Sequence, residues 1–387
     1  MYRQFEAALE AAVARGRIAG AVALVTDREA TSYQHAAGAR TAGAPAAMTV
    51  DTVFWIASMT KAIVSVAALQ LVERGRLSLD GELWALLPEL ADLQVLAGVD
   101  GDGGPKLRPA KGAVTLRQLL THTSGFGYSW IAPELAHWLQ ASGAADATGG
   151  SRAAHRQPLL FDPGQGWAYG IGIDWAGLAV EAASGQRLDA YLAEHIFAPL
   201  GMVDTAFAPS PGQELRKAGM HARGADGGLV PIPFALPSEP EVLSGGAGLY
   251  STATDYARFL RMLLNRGAGE GGSRVLSEAT MAELGRVQTA GRRAGAWTSG
   301  AAHLSRDIDL FPGMHTGWGL ATLITPQACA DGRGAGSLAW AGLANTYYWA
   351  DPGAGMAGLI LTQVLPFGDP EVLGLFAALE RGAYRKA

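Results

Sequence analysis

One cysteine, Cys329, stands in a chain of 387 residues, so no disulfide can form within it. Charge is sparse too. Lys, Arg, Asp and Glu make up 17% of the residues against 49% hydrophobic ones, a balance that excludes extended disorder and calls for a large core. The formal net charge is −5 and no basic block occurs, which leaves nothing to hold a nucleic acid. The longest mostly apolar run, residues 62–72, is too short to span a bilayer. The opening MYRQFEAALEAAVARGRIAG has no basic segment followed by an apolar one, so no export signal is read there and a soluble, cytoplasmic protein is expected.

Signatures of several chemistries are missing as well. The eight histidines show no H-E-x-x-H or H-x3-H spacing, so neither a metal nor another cofactor is expected. No serine lies in G-x-S-x-G, the strand-to-helix nucleophile elbow of the α/β-hydrolases. SGGAGLYST (244–252) is glycine-rich but lacks the strand and the lysine of a phosphate loop. It reads as a tight turn into a helix.

Regular elements gather at the two ends. Residues 2–15 have the pattern of an amphipathic helix stopped at Gly16. IAGAVALVTD and EATSYQHAAGA read as strands joined near residues 27–28. Toward the other end GWGLATLIT, GSLAWAGLANTYYWA and MAGLILTQVL read as three strands, the last two joined by DPGAG. A final helix begins with Asp369 and Pro370 and is expected to stop at Gly382. The middle is helical in character, with TLRQLLTH, DWAGLAVEAAS and a helix opened by Thr252 with Asp255 three residues on, a capping-box pattern. Both termini then build one α/β domain (1–57 and 243–387) around a shared sheet. A mainly helical domain (58–242) is inserted between them, with a cleft at the junction.

The most telling stretch is FWIASMTKAIVSVAALQLVERG. Between Asp51 and Glu73 its only charge is Lys61, three residues after Ser58. That spacing on a helix puts hydroxyl and amine on one face. Burial disfavours the ammonium, and a neutral amine beside a serine is a base for it. Ser58, as first residue of the helix, would also offer its N–H to an oxyanion. Two readings are open on this local evidence. Ser58 could cap a helix while Lys61 reaches solvent, or the pair could be catalytic. Against the first, a cation in the first turn opposes the helix dipole, and within ten residues only Asp51 is acidic.

Further pieces follow in order. Tyr169 lies in GQGWAYGIGIDWAGLAVE, and Trp340-Ala341-Gly342 lies in GSLAWAGLANTYYWADP. Together with Ser58-x-x-Lys61 they resemble the S-x-x-K, Y-x-N and K-T-G motifs of the serine β-lactamases and penicillin-binding proteins. TLRQLLTHTSGFGY, PLGMVDTAF and GGAGLYSTATDYARFL extend the likeness over nearly the whole chain. It is similar above all to the family VIII carboxylesterases of the class C β-lactamase superfamily. The resemblance implies a serine β-lactamase-like α/β fold, with an antiparallel sheet made by both termini and flanked by helices. It implies Ser58 as nucleophile, Lys61 and Tyr169 as base and acid, and the N–H groups of Ser58 and Leu343 as oxyanion hole. Tyr128 matches an aromatic position lining the cleft, and Ile171, Trp340, Ala341 and Gly342 fall at substrate-binding positions. His122 is expected near the cleft as a structural hydrogen-bonder.

Two positions depart from the pattern. Ile171 stands for the asparagine of the second motif, and Trp340 for the cation of the third. Losing a charge-assisted hydrogen bond costs about 1.5–3 kcal/mol. The resemblance therefore implies that recognition of an anionic, peptide-like substrate is missing while acyl transfer is kept. The expected activity is a serine carboxylesterase acting on short-chain neutral esters, with the rate rising as Lys61 deprotonates. A β-lactamase, DD-peptidase or amide hydrolase is the second reading, and a non-catalytic binding protein the third. The expected partner is a small-molecule ester.

Overall fold

The computed structural model describes residues 2–289 and 291–385. Seven strands form the central sheet: β1 (Gly20–Thr26), β2 (Thr31–Gly38), β3 (Gly317–Trp318), β4 (Leu323–Thr325), β5 (Ser337–Gly342), β6 (Thr346–Asp351) and β7 (Met356–Leu361). Their order is β3-β4-β5-β6-β7-β1-β2, antiparallel at every step. The β1–β7 pairing, Val22 opposite Leu361, joins the two ends of the chain as the sequence pattern predicts.

Alternation along the strands assigns the two faces. Ala21, Ala23 and Val25 of β1 and Ala339 and Ala341 of β5 pack with α1 (Arg3–Ala14) and the C-terminal helix. Val22, Leu24, Leu338 and Trp340 belong to the larger core, with α2 (Thr60–Glu73), α3 (Gly172–Ser184) and α4 (Ala253–Leu264). Every residue of α2 from Thr60 to Leu71 is buried, which explains its apolarity all round. Among the described residues no helix is long and apolar enough to cross a membrane.

Several expected elements are corrected. GSLAWAGLANTYYWA is two strands, because Asn345 turns the chain at φ +58°, a conformation asparagine tolerates. Its amide donates to the Val364 and Pro366 carbonyls at 2.7 and 2.9 Å, anchoring the turn that follows Leu343. GWGLATLIT is likewise two short strands, β3 and β4, closed by a Gly319–Thr322 backbone bond. The last helix, α5 (Pro370–Tyr384), runs through Gly382, which is buried within it. At α4 the Thr252 hydroxyl accepts from Asp255 N–H, but the Asp255 carboxylate turns to Asp204 N–H and Thr205, so the box is only half closed.

Candidate active site

Ser58 is not the first residue of α2. It sits in a 3-10 turn, Ala57–Met59, that leads into it. Ala57 has φ +44°, a strained value for a residue with a Cβ, and it is fully buried. The surroundings hold the turn in place. Ile56 N–H donates to Leu249 O, Leu249 N–H to Thr60 Oγ1, and Tyr256 Oη to Met59 O, each at 3.0–3.1 Å. The end of β5 presses on the same turn. A Cβ on Gly342 would lie 2.3 Å from Ile56 O, so only glycine permits the approach that brings Leu343 beside Ser58.

One helical turn on, Lys61 is 0% exposed. Its Nζ donates to Ser58 Oγ at 3.0 Å, Tyr128 Oη at 3.0 Å and Gly246 O at 2.7 Å. Burial pushes its pKa down to about 7, partly offset by the negative charge of Asp174. Asp51, the only acid near in sequence, faces Thr49 and Arg216 instead. The counter-charge comes from α3. Asp174, 3% exposed, accepts from Ser244 Oγ at 2.8 Å and Gly246 N–H at 3.0 Å.

Tyr169 is buried just before α3, in a shell of aromatic rings. Centroids of His122, Trp340, Tyr128 and Trp297 lie 4.8, 5.0, 5.4 and 5.6 Å from its own, and Trp297 stacks nearly parallel at 8°. Lys61 Nζ is 4.7 Å from its ring centre. Burial raises the phenol pKa well above its ordinary value, against hydrogen bonding to Ser58 and Trp340, which lowers it. At neutral pH Tyr169 is therefore a protonated phenol, and Lys61 is the group able to hold a lone pair.

Trp340 stands where the third motif of the family carries a cation. Its ring lines the pocket, and its Nε1–H donates to Tyr169 Oη at 3.0 Å. Tyr128 lines the pocket and bonds Lys61. Ile171 does not fit its expected place. It caps α3, is buried in the main core and is not among the pocket-lining residues. His122, at φ +58° after a short helix (Leu116–Leu120), accepts Gly170 N–H at Nδ1 at 3.4 Å. Burial and the neighbouring Lys61 hold it neutral, beneath Tyr169.

A narrow pocket of about 90 Å³ opens over Ser58, walled by Tyr128, Trp130, Tyr169, Trp297, Trp340 and Phe367, with Ala341, Gly342 and Leu343 along one edge. Among the described residues no Lys or Arg lines it. Trp55, Trp130, Thr148, Ala247 and Leu343 also border a second, larger cavity of about 730 Å³, lined by Phe197, Phe207, Phe234, Leu236 and Leu243 and reaching Arg187 and Asp189 at its rim. The two form one cleft with a tight end at the serine. Among the described residues no group of three His, Cys, Asp or Glu side chains could hold a metal.

Sequence reasoning missed Trp130, Trp297, Ser244, Gly246 and Asp174. Asp174 carried the same signal as Lys61: it is the only charge between Asp162 and Glu181. Gly245 and Gly246, read only as a turn, press on the start of α3, where added Cβ atoms would meet Ile173 O at 2.7 Å and Asp174 Oδ2 at 2.4 Å. Trp297 carried no such signal, since its place over Tyr169 depends on a hairpin far off in sequence.

Comparison with known proteins agrees with this fold. The chain is 33% identical over 389 residues to a lovastatin esterase of Penicillium rubens, covering 97% of each. It is 32% identical over 395 residues to a monacolin J acid methylbutanoyltransferase of Aspergillus terreus, covering 98% of this chain and 94% of the other. The solved structure of an unliganded simvastatin synthase from Aspergillus terreus superposes with a TM-score of 0.86 at 31% identity, over 98% of this chain and 97% of that one. Residues 5–382 match the Beta-lactamase family. On this match and these relatives, the chain belongs to the Beta-lactamase family, among its serine hydrolases and acyltransferases.

Proposed function

We propose that the protein cleaves esters joining a short, neutral acyl group to a bulky, mostly apolar alcohol, passing the acyl group through Ser58. The observation that carries this reading is a fully buried lysine, held near pKa 7, with its nitrogen 3.0 Å from the serine oxygen. Ser58 Oγ attacks the ester carbonyl carbon while its proton passes to the Lys61–Tyr169 pair. The N–H groups of Ser58 and Leu343 receive the oxyanion. Among the described residues Leu343 N–H donates to no backbone or side-chain acceptor, which leaves it free for that role. The tetrahedral intermediate expels the alkoxide, Tyr169 delivers the proton to it, and the acyl group stays on Ser58. Water or a second alcohol then repeats the steps in reverse.

Size supports the division of the substrate. The pocket of about 90 Å³ suits a short acyl chain, and the adjoining cavity of about 730 Å³ suits the alcohol. The names of the relatives, a lovastatin esterase and a methylbutanoyltransferase, point the same way. A β-lactamase or peptidase reading is disfavoured because, among the described residues, no Lys or Arg lines the pocket to hold a substrate carboxylate. Brief incubation with a phosphonate ester followed by intact-mass measurement tests the proposal. The wild type gains one phosphonyl group and Ser58→Ala none. An unlabelled wild type would leave a binding protein, and faster turnover of a chromogenic cephalosporin than of p-nitrophenyl butyrate would leave a β-lactamase.

A further inference from the structure

Lys61 and Asp174 are both buried, and neither has an ion-pair partner within 4.0 Å among the described residues. Burying a lone carboxylate costs several kcal/mol, so one kept at 3% exposure needs compensation. Two hydrogen bonds converge on its Oδ1, from Ser244 Oγ and Gly246 N–H. It also lies in the first turn of α3, where the helix dipole favours an anion. The peptide carrying that N–H is one residue from the carbonyl that holds Lys61, since Gly246 N–H points to Asp174 and Gly246 O accepts from Nζ at 2.7 Å.

We propose that Asp174 is a positioning residue and counter-charge for Lys61, acting through Gly246. Its carboxylate clamps the Gly246 backbone, and the Gly246 carbonyl then fixes the amine against Ser58. Its charge keeps the amine from becoming too weak a base. The inference rests on the catalytic reading of Ser58 and Lys61. The other groups facing Lys61 are Ser58, Tyr128, Tyr169 and His122, with Asp146 acting on Tyr128. Tyr128 and Tyr169 are held protonated and His122 neutral by burial, so none of them supplies a negative charge near neutrality. Asp174 does. A Cβ on Gly246 would meet its Oδ2 at 2.4 Å and Tyr128 Oη at 3.0 Å, so the clamp leaves no room for a side chain there.

The test is the pH profile of kcat/KM for wild type, Asp174→Asn and Ser58→Ala. In the wild type an acid limb near pH 7 marks loss of the Lys61 proton. Removing the facing charge lowers the affinity of Lys61 for that proton, so in Asp174→Asn the limb moves to lower pH by about one unit. A uniform drop in rate with the limb unmoved makes Asp174 merely structural and overturns the inference alone. A wild-type profile with no limb between pH 6 and 8 overturns the base assignment and this inference with it. Ser58→Ala is inactive at every pH if the catalytic reading holds. Should Asp174→Asn fail to fold, Ser244→Ala removes one of the two hydrogen bonds that hold the carboxylate against the Gly246 backbone. Its kcat then falls severalfold with KM little changed, and a wild-type kcat overturns the proposal.

Discussion

Trp340→Phe isolates one hydrogen bond in the proton path. The indole N–H reaches Tyr169 Oη at 3.0 Å, with both residues buried. Phenylalanine keeps an aromatic ring in the wall but takes the donor away. A buried acceptor left without its partner costs about 1–3 kcal/mol. If that cost falls on the transition state it slows the step about 5- to 150-fold. Where the loss appears depends on the leaving group. A p-nitrophenolate departs without being protonated, whereas an alkoxide needs the proton that Tyr169 delivers. Ethyl and p-nitrophenyl butyrate form the same acyl-enzyme, so kcat/KM compares their acylation steps alone. The expected result is a loss of roughly tenfold or more for the ethyl ester and only a few-fold for the nitrophenyl ester. The smaller ring also lowers stability by about 1–3 kcal/mol, read separately from thermal unfolding. Equal losses for the two esters would refute the assignment of Tyr169 as proton donor to the alcohol.

Other predictions follow from the same geometry. Activity rises with pH through about 7, because the ammonium of Lys61 has no lone pair for the Ser58 proton; a rate flat from pH 6 to 9 with chemistry limiting contradicts this. Trp297→Ala removes the ring stacked 5.6 Å from Tyr169 and opens the tight end of the cleft. The octanoate-to-butyrate ratio of kcat/KM then increases roughly tenfold, measured with p-nitrophenyl esters. Gly246→Ala drives a methyl into the Asp174 carboxylate and displaces the carbonyl that holds Lys61. Activity falls about a hundredfold, a loss that circular dichroism shows is not unfolding.

Much of the molecule is legible in its sequence. Short apolar runs bounded by turn residues marked IAGAVALVTD and MAGLILTQVL as strands, and strands at both ends pointed to a shared sheet, while the pairing of β1 with β7 is seen only in the structure. The isolated charge of Lys61 announced a buried amine, because apolarity on every side of a helix leaves it no route to water. Strand ends were less legible. Asn345 and Gly319 reverse the chain inside runs that read as continuous, since a turn of three or four residues scarcely interrupts apolar periodicity.

The sequence by itself determined which groups could carry the chemistry: a serine and a lysine three apart, a tyrosine ahead of a helix and a tryptophan in the place of a cation. Only the tertiary structure decided what those groups do to one another. Asp174 faces Lys61 from 113 positions away, the Trp340 indole meets Tyr169 from 171, and Trp297 closes the pocket from a separate hairpin. Periodicity and spacing are properties of neighbours along the chain. Charge, desolvation and hydrogen bonding act through space, so the basicity of Lys61 and the size of its pocket exist only once distant segments have packed together.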